Sequence, residues 1–184
     1  MAAGNFDPHP SALTSRYLVW TKRMADPDFG HFPLVRKGHS FEDFHAGQVF
    51  EHHWGRTVTE ADNVLFTTAT LAFTPLYFNA EYARAHGHPD VVVHPLLVLC
   101  IVVGLSVEDL SEAGGPFLGV NDVRFERAVH PGDTLTARST VVSTRPSESR
   151  AGFGIVTWRT EAQNQRGETV LRFERTNLVA KRSA

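Results

Sequence analysis

Between residues 71 and 97 the chain collects the side chains best suited to acid–base or polarising chemistry: Thr74, Tyr77, Asn79 and His94. The Thr74 hydroxyl can orient a water or a carbonyl, or cap the turn around Pro75. A tyrosine phenol ordinarily titrates near ~10, so Tyr77 can donate a hydrogen bond but is a poor base at neutral pH; the alternative is that it only packs. His94 can serve as general base or hydrogen-bond donor, or be consumed by hydrogen bonding within a helix entry. Pro95 brings no N–H. The amides of Leu96 and Leu97 open a helix without intrahelical acceptors and can turn to a ligand. Asn79 is expected to cap a helix.

Other chemistries have little support. Ten histidines invite a metal reading, yet His52 and His53 are neighbours on an expected strand and point to opposite faces. His86 and His88 could join His94, but no carboxylate or cysteine stands at standard spacing, so a solvated polar loop is expected and no metal or cofactor. Arg124, Arg127, Arg138, Arg159, Arg172 and Arg175 fall on expected strands among Glu126, Glu161 and Glu174, where cross-strand ion pairs are the ordinary outcome. No glycine-rich phosphate loop, Gly-x-Ser-x-Gly elbow or cysteine-centred nucleophile is evident.

The elements that position these residues follow from periodicity. Residues 1–38, with Pro8, Pro10, Pro27 and Pro33, read as an N-terminal extension packing on the domain or on a partner, with a short helix over 15–24. Gln48 to Val58 alternates as a strand. Thr59 and Asp62 form a capping box for a helix with Ala61, Val64, Leu65, Thr68 and Ala69 near one face. A second short helix runs from Asn79 to Ala85, stopped by Gly87 and Pro89. Leu96 to Leu110 is apolar nearly all round until Ser106 and is expected to be a helix buried on most faces. Four long strands follow, over 117–129, 134–144, 153–164 and 169–179. This order argues for an α+β domain over 39–184, an antiparallel sheet packed on one face by a helix.

The 184-residue length suits one domain. A net charge of −2 leaves no electrostatic footprint for nucleic acid. The longest apolar run, 96–105, is too short to span a bilayer, and residues 1–10 lack the apolar core of a signal peptide. With Cys100 the sole cysteine, a cytoplasmic, reducing setting is expected.

Several segments resemble the MaoC-like dehydratase family, near (R)-specific enoyl-CoA hydratases and mesaconyl- and itaconyl-CoA hydratase-like proteins. They are Phe41 to Phe50, Gly55 to Asp62, Asp122 to Phe125 with Val129 to Leu135, and Gly154 to Glu168. The resemblance spans about 41–182 and implies a hot-dog fold, a sheet wrapped around a central helix. It implies a homodimer, or a higher homo-oligomer of dimers, joined edge to edge, and an acyl-thioester ligand on coenzyme A or a carrier protein. An arginine on the strands could then meet a coenzyme A phosphate. The family's loop reads D-x-N-P-[LIV]-H, its aspartate and histidine holding the reacting water. Here Ala72, Thr74 and Tyr77 stand at the aspartate, asparagine and histidine; Pro75 and Leu76 are kept. Pro95 occupies a glycine whose amide serves as oxyanion donor. The resemblance therefore assigns catalysis to Tyr77, Thr74 and His94, and substrate binding to Ala72, Pro75, Asn79, Leu96 and Leu97. The expected activity is hydratase or dehydratase with an altered loop. The alternatives are a thioesterase or other tailoring enzyme, or an inactive acyl-thioester-binding subunit.

Overall fold

The computed structural model describes residues 38–182. The expected extension, with its helix over 15–24, lies outside the described residues. After a 3₁₀ turn at Phe41–Asp43 come β1 (Val49–Glu51), β2 (Arg56–Thr57) and α1 (Glu60–Ala69). A second 3₁₀ turn (Pro75–Tyr77), α2 (Ala80–Ala85), α3 (Pro95–Leu105) and α4 (Val107–Leu110) follow. The chain ends in β3 (Phe117–Phe125), β4 (Thr134–Pro146), β5 (Phe153–Gln163) and β6 (Thr169–Ala180). The strands lie in the order β1-β4-β5-β6-β3, all pairs antiparallel, with β2 also on β4. Helix α3 packs on the inner face, so the α+β hot-dog arrangement is the one observed.

The capping box forms as its sequence requires. The Thr59 hydroxyl accepts from the Asp62 amide at 3.2 Å, and the Asp62 carboxylate accepts from the Thr59 amide at 2.9 Å. Asn79 caps α2 by accepting from the Tyr82 amide at 3.0 Å. The three strands β4, β5 and β6 alternate buried and exposed residues, which places Leu135, Ala137, Ser139 and Val141 inward beside Val156, Trp158 and Thr160.

Three expectations need correction. The strand expected over 48–58 is broken at residues 52–55. Glu51 pairs Arg138 while Arg56 pairs Leu135, so this side carries two extra residues that bulge out. The bulge turns His52 inward and leaves Trp54 60% exposed, its indole donating to Glu108 at 3.0 Å. Second, the helix expected to run to Leu110 stops at Leu105 and restarts at Val107. Ser106 makes the break, its hydroxyl bonding back to the Val103 carbonyl at 2.8 Å. Third, α3 is not buried all round within one chain: Val98, Ile101 and Val102 face the sheet, but Leu96, Cys100 and Gly104 form an exposed stripe. On α1 the buried residues are Asn63 and Thr67, while Val64 and Leu65 face outward.

The core falls into two parts. One gathers Val93, Val98, Val102, Val129, Leu135 and Phe173 under α3. The other gathers Phe44, Leu110, Val141, Val156, Trp158 and Val179. Full burial of such side chains stabilises by about 1.5–3 kcal/mol each. A polar seam of buried side chains also crosses the inner face. His52 Nδ1 meets Asp109 at 2.6 Å, His52 Nε2 meets Ser139 Oγ at 2.8 Å, and Ser139 Oγ meets Thr160 Oγ1 at 2.8 Å. A carboxylate only accepts, so Nδ1 carries a proton towards Asp109. Arg175, expected in a surface ion pair, is 1% exposed and lies over the Trp158 ring at 5.4 Å. Desolvation lowers its pKa to about 10.

Candidate active site

Helix α1 ends at Thr70, and the chain reverses through Leu71, whose φ of 56° is left-handed. A leucine there stores strain of about 1–3 kcal/mol. The Ala72 amide is then tied to the Thr67 carbonyl at 2.9 Å, which delivers the chain into the 75–77 turn. Pro75 fits the first position of that turn because it needs no amide there. Thr74 precedes it with its side chain making no capping bond, so its exposed hydroxyl is not used as the turn cap.

Tyr77 and His94 are brought together. Their rings lie 4.6 Å apart, and Phe66 of α1 flanks the imidazole from 5.1 Å. His94 is the N-cap of α3, and its Nδ1 accepts from the Leu96 amide at 3.2 Å. That bond fixes the tautomer of the neutral ring, with the proton on Nε2. Burial lowers the His94 pKa below the usual histidine value, so the ring is neutral at pH 7 and Nε2–H is a donor. The expected amide donors do not survive as free groups. The Leu96 N–H is taken by His94 Nδ1, and the Leu97 N–H bonds the His94 carbonyl at 2.9 Å. With Pro95 lacking an N–H, donation at this helix entry passes from the backbone to the imidazole.

One residue that organises this site escaped the sequence reading. Asn63, on α1 and 0% exposed, donates to the Tyr77 carbonyl at 2.7 Å and the Val92 carbonyl at 3.0 Å. It accepts from the His94 amide at 2.8 Å. Only one orientation of its amide satisfies all three bonds. The available signal was an asparagine inside a helix, where it is a weak helix former, with Thr67 one turn later on the same face.

Behind Tyr77 and Pro95 lies a cavity of about 240 Å³, walled by apolar side chains such as Leu76, Val93, Val98 and Phe125, with His88 and Arg127 among its polar members. Asn79 is occupied as the cap of α2. Among the described residues no group of histidine, cysteine and carboxylate side chains could hold a metal ion.

Sheet, central helix and cavity together define a hot-dog protein of the MaoC-like dehydratase class. Residues 32–184 match the family model described as mesaconyl-CoA hydratase, and the chain belongs to that family. The mesaconyl-CoA hydratase of Haloarcula marismortui is 42% identical over 147 residues, covering 79% of this chain and 41% of that protein. Among solved structures, a putative MaoC domain protein dehydratase from Chloroflexus aurantiacus superposes with a TM-score of 0.76 at 33% identity, over 83% of this chain and 43% of that one. A conserved hypothetical protein of Mycobacterium tuberculosis with a double hotdog fold superposes with a TM-score of 0.72 at 26% identity, over 80% of this chain and 46% of that one. The chain thus spans about two fifths of the length of the curated relative it matches.

Proposed function

We propose that this chain binds a short acyl-CoA thioester in the cavity behind Tyr77 and takes part in hydration of its double bond or the reverse dehydration. The observation that carries the reading is the neutral His94 ring packed 4.6 Å from Tyr77, which lines the cavity. At about 240 Å³ the cavity is smaller than the ~300–1,000 Å³ typical of drug-sized ligands, which suits a few carbons rather than a long chain. In hydration the water oxygen bonds the β-carbon and a proton reaches the α-carbon, with no net redox change. His94 Nε2–H donates to the thioester oxygen as negative charge develops there. The Tyr77 hydroxyl, beside it, positions the proton delivered to the α-carbon. Thr74 orients the water. Coenzyme A is favoured over a carrier protein because the family and the curated relative are described by a coenzyme A thioester. The single cysteine, free and exposed, suits a reducing cytoplasm.

A second reading has its own support. The loop has no carboxylate at Ala72 to take the proton of water, and the chain corresponds to about half of a double-hotdog protein. In this reading the domain is the binding half, and the general base comes from a second hot-dog unit. The exposed Val64 and Leu65 of α1 and the open edge of β3, with Phe117, Leu118 and Phe125 exposed, are surfaces such a unit, or a second copy, would cover.

The test is to assay the chain with mesaconyl-CoA and crotonyl-CoA while following enoyl absorbance and free thiol separately, alone and after Ala72→Asp with Tyr77→His. Enoyl loss without thiol release supports the hydratase reading. A gain of activity only in the double variant supports the binding half. Thiol release by the unmodified chain points to a thioesterase and overturns both.

A further inference from the structure

The inward row of β6 runs Leu171, Phe173, Arg175, Asn177 and Val179, so a cation stands among side chains that build the core. Arg175 is 1% exposed. Its Nε and Nη2 are both buried, and among the described residues neither has a hydrogen-bond partner. Burial lowers its pKa only to about 10, so the guanidinium is still charged at pH 7. The Trp158 ring, its centroid 5.4 Å from the guanidinium carbon, attracts the cation through its face. It is no acceptor for N–H groups lying in the guanidinium plane.

Nε and Nη2 form one edge of the guanidinium fork. On the outer face of the sheet that edge closes on a single oxygen. Arg138 donates to Glu161 Oε2 at 3.2 and 2.8 Å, and Arg159 donates to Glu174 Oε1 at 3.2 and 2.7 Å. One negative atom therefore satisfies both nitrogens. Arg175 turns the same edge into the core, where no carboxylate of the described residues meets it. Two neighbours share the condition. Trp158, directly opposite on β5, has a buried indole N–H without an acceptor, and Asn177, two residues along β6, has a buried side-chain oxygen without a donor. An amide's two ends are assigned from their bonds, and turned over Asn177 offers an N–H instead. A charge buried without a partner is strongly unfavourable, and native interiors supply one.

We infer that the core binds a small monovalent anion of the halide class against the Nε–Nη2 edge of Arg175. A single atom suffices at that edge, and a side chain this deeply buried admits nothing bulky. The Trp158 N–H is the nearest further donor for it. None of these three residues lines the cavity behind Tyr77, so the anion completes the core and is independent of the acyl-thioester reading.

The experiment melts the full chain in sodium chloride, sodium bromide and sodium gluconate at one ionic strength, gluconate being too large to enter. In either halide Tm is expected to rise with concentration and saturate, which separates a site from the general action of salts. At a hundred times Kd the folding equilibrium shifts about a hundredfold, raising Tm by roughly 5–10 °C for a domain of this size. Arg175→Met keeps a long unbranched side chain without the charge. It is expected to abolish the saturable response and to fall further below the parent chain in chloride than in gluconate. A role in packing alone would lower Tm equally in the two salts. A parent chain with no saturable response, or one whose response Arg175→Met shares, overturns the site. Should Arg175→Met not fold, crystals of the parent chain grown in bromide decide. An anomalous peak within hydrogen-bond reach of Arg175 Nε and Nη2 supports the site, and water or no density at that edge overturns it.

Discussion

Replacing Asn63 by alanine removes a side chain that joins α1, the Tyr77 turn and the entry of α3. Its three bonds, at 2.7, 3.0 and 2.8 Å, go to backbone groups with no other hydrogen bond among the described residues. Each net bond contributes about 0.5–1.5 kcal/mol, and each group left buried and unsatisfied costs about 1–3 kcal/mol. Water entering the space vacated by the amide returns part of this. The expected loss is about 3–4 kcal/mol, which for a domain of this size lowers Tm by roughly 8–14 °C. Asn63→Asp is expected to cost at least as much, because a carboxylate oxygen would then face the Tyr77 and Val92 carbonyls. Urea unfolding followed by circular dichroism measures both. A loss below about 1 kcal/mol for the alanine variant, within the range of ordinary surface changes, would refute the idea that Asn63 holds the site together.

Two further outcomes follow from particular positions. His94 has a folded pKa below its unfolded value, so the unfolded chain binds more protons in between. Its contribution is therefore present above the unfolded pKa and is lost as pH falls towards the folded one. His94→Asn keeps an N-cap acceptor, so it is expected to flatten the fall in urea midpoint between about pH 7 and pH 5. His130, lowered by burial, leaves a residual slope; a profile parallel to that of the parent chain would contradict this. At Gly115, φ 136°, a Cβ would run into the Leu178 carbonyl of β6, so Gly115→Ala combines backbone strain with overpacking and is expected to cost about 2–4 kcal/mol. Gly47→Ala, with positive φ but open space, is the comparison and should cost about 1–2 kcal/mol; equal melting temperatures for the two variants would show that the close approach to Leu178 is unimportant.

The parts of the fold that local chemistry dictates were legible in the sequence. The Thr59–Asp62 box, the Asn79 cap and the alternation of β4 to β6 each depend on neighbours a few residues away. What escaped depends on partners far along the chain. The bulge at residues 52–55 exists because β4 supplies two fewer residues than the opposing segment, and that count is visible only once the register is known. Asn63 reads locally as a weak helix former; its value lies in carbonyls at Tyr77 and Val92 and the amide of His94. The amides of Leu96 and Leu97 looked free because the side chain and carbonyl of His94 fold back onto them. The outward stripes on α1 and α3 break the expectation of full burial for a different reason. Apolar periodicity records that a face is covered, but it does not say whether the cover belongs to the same chain.

The division of the core into two clusters bears on how such a domain can change its ligand. Val93, Val98 and Val129 serve at once as core and as walls of the cavity behind Tyr77, whereas the Trp158 cluster has no part in that cavity. Substitutions without shared contacts have nearly additive energies. The cavity walls can therefore be recut, one methyl group at a time, against a reserve of stability kept in the other cluster. The Trp158 cluster can hold the fold while side chains that line the cavity change.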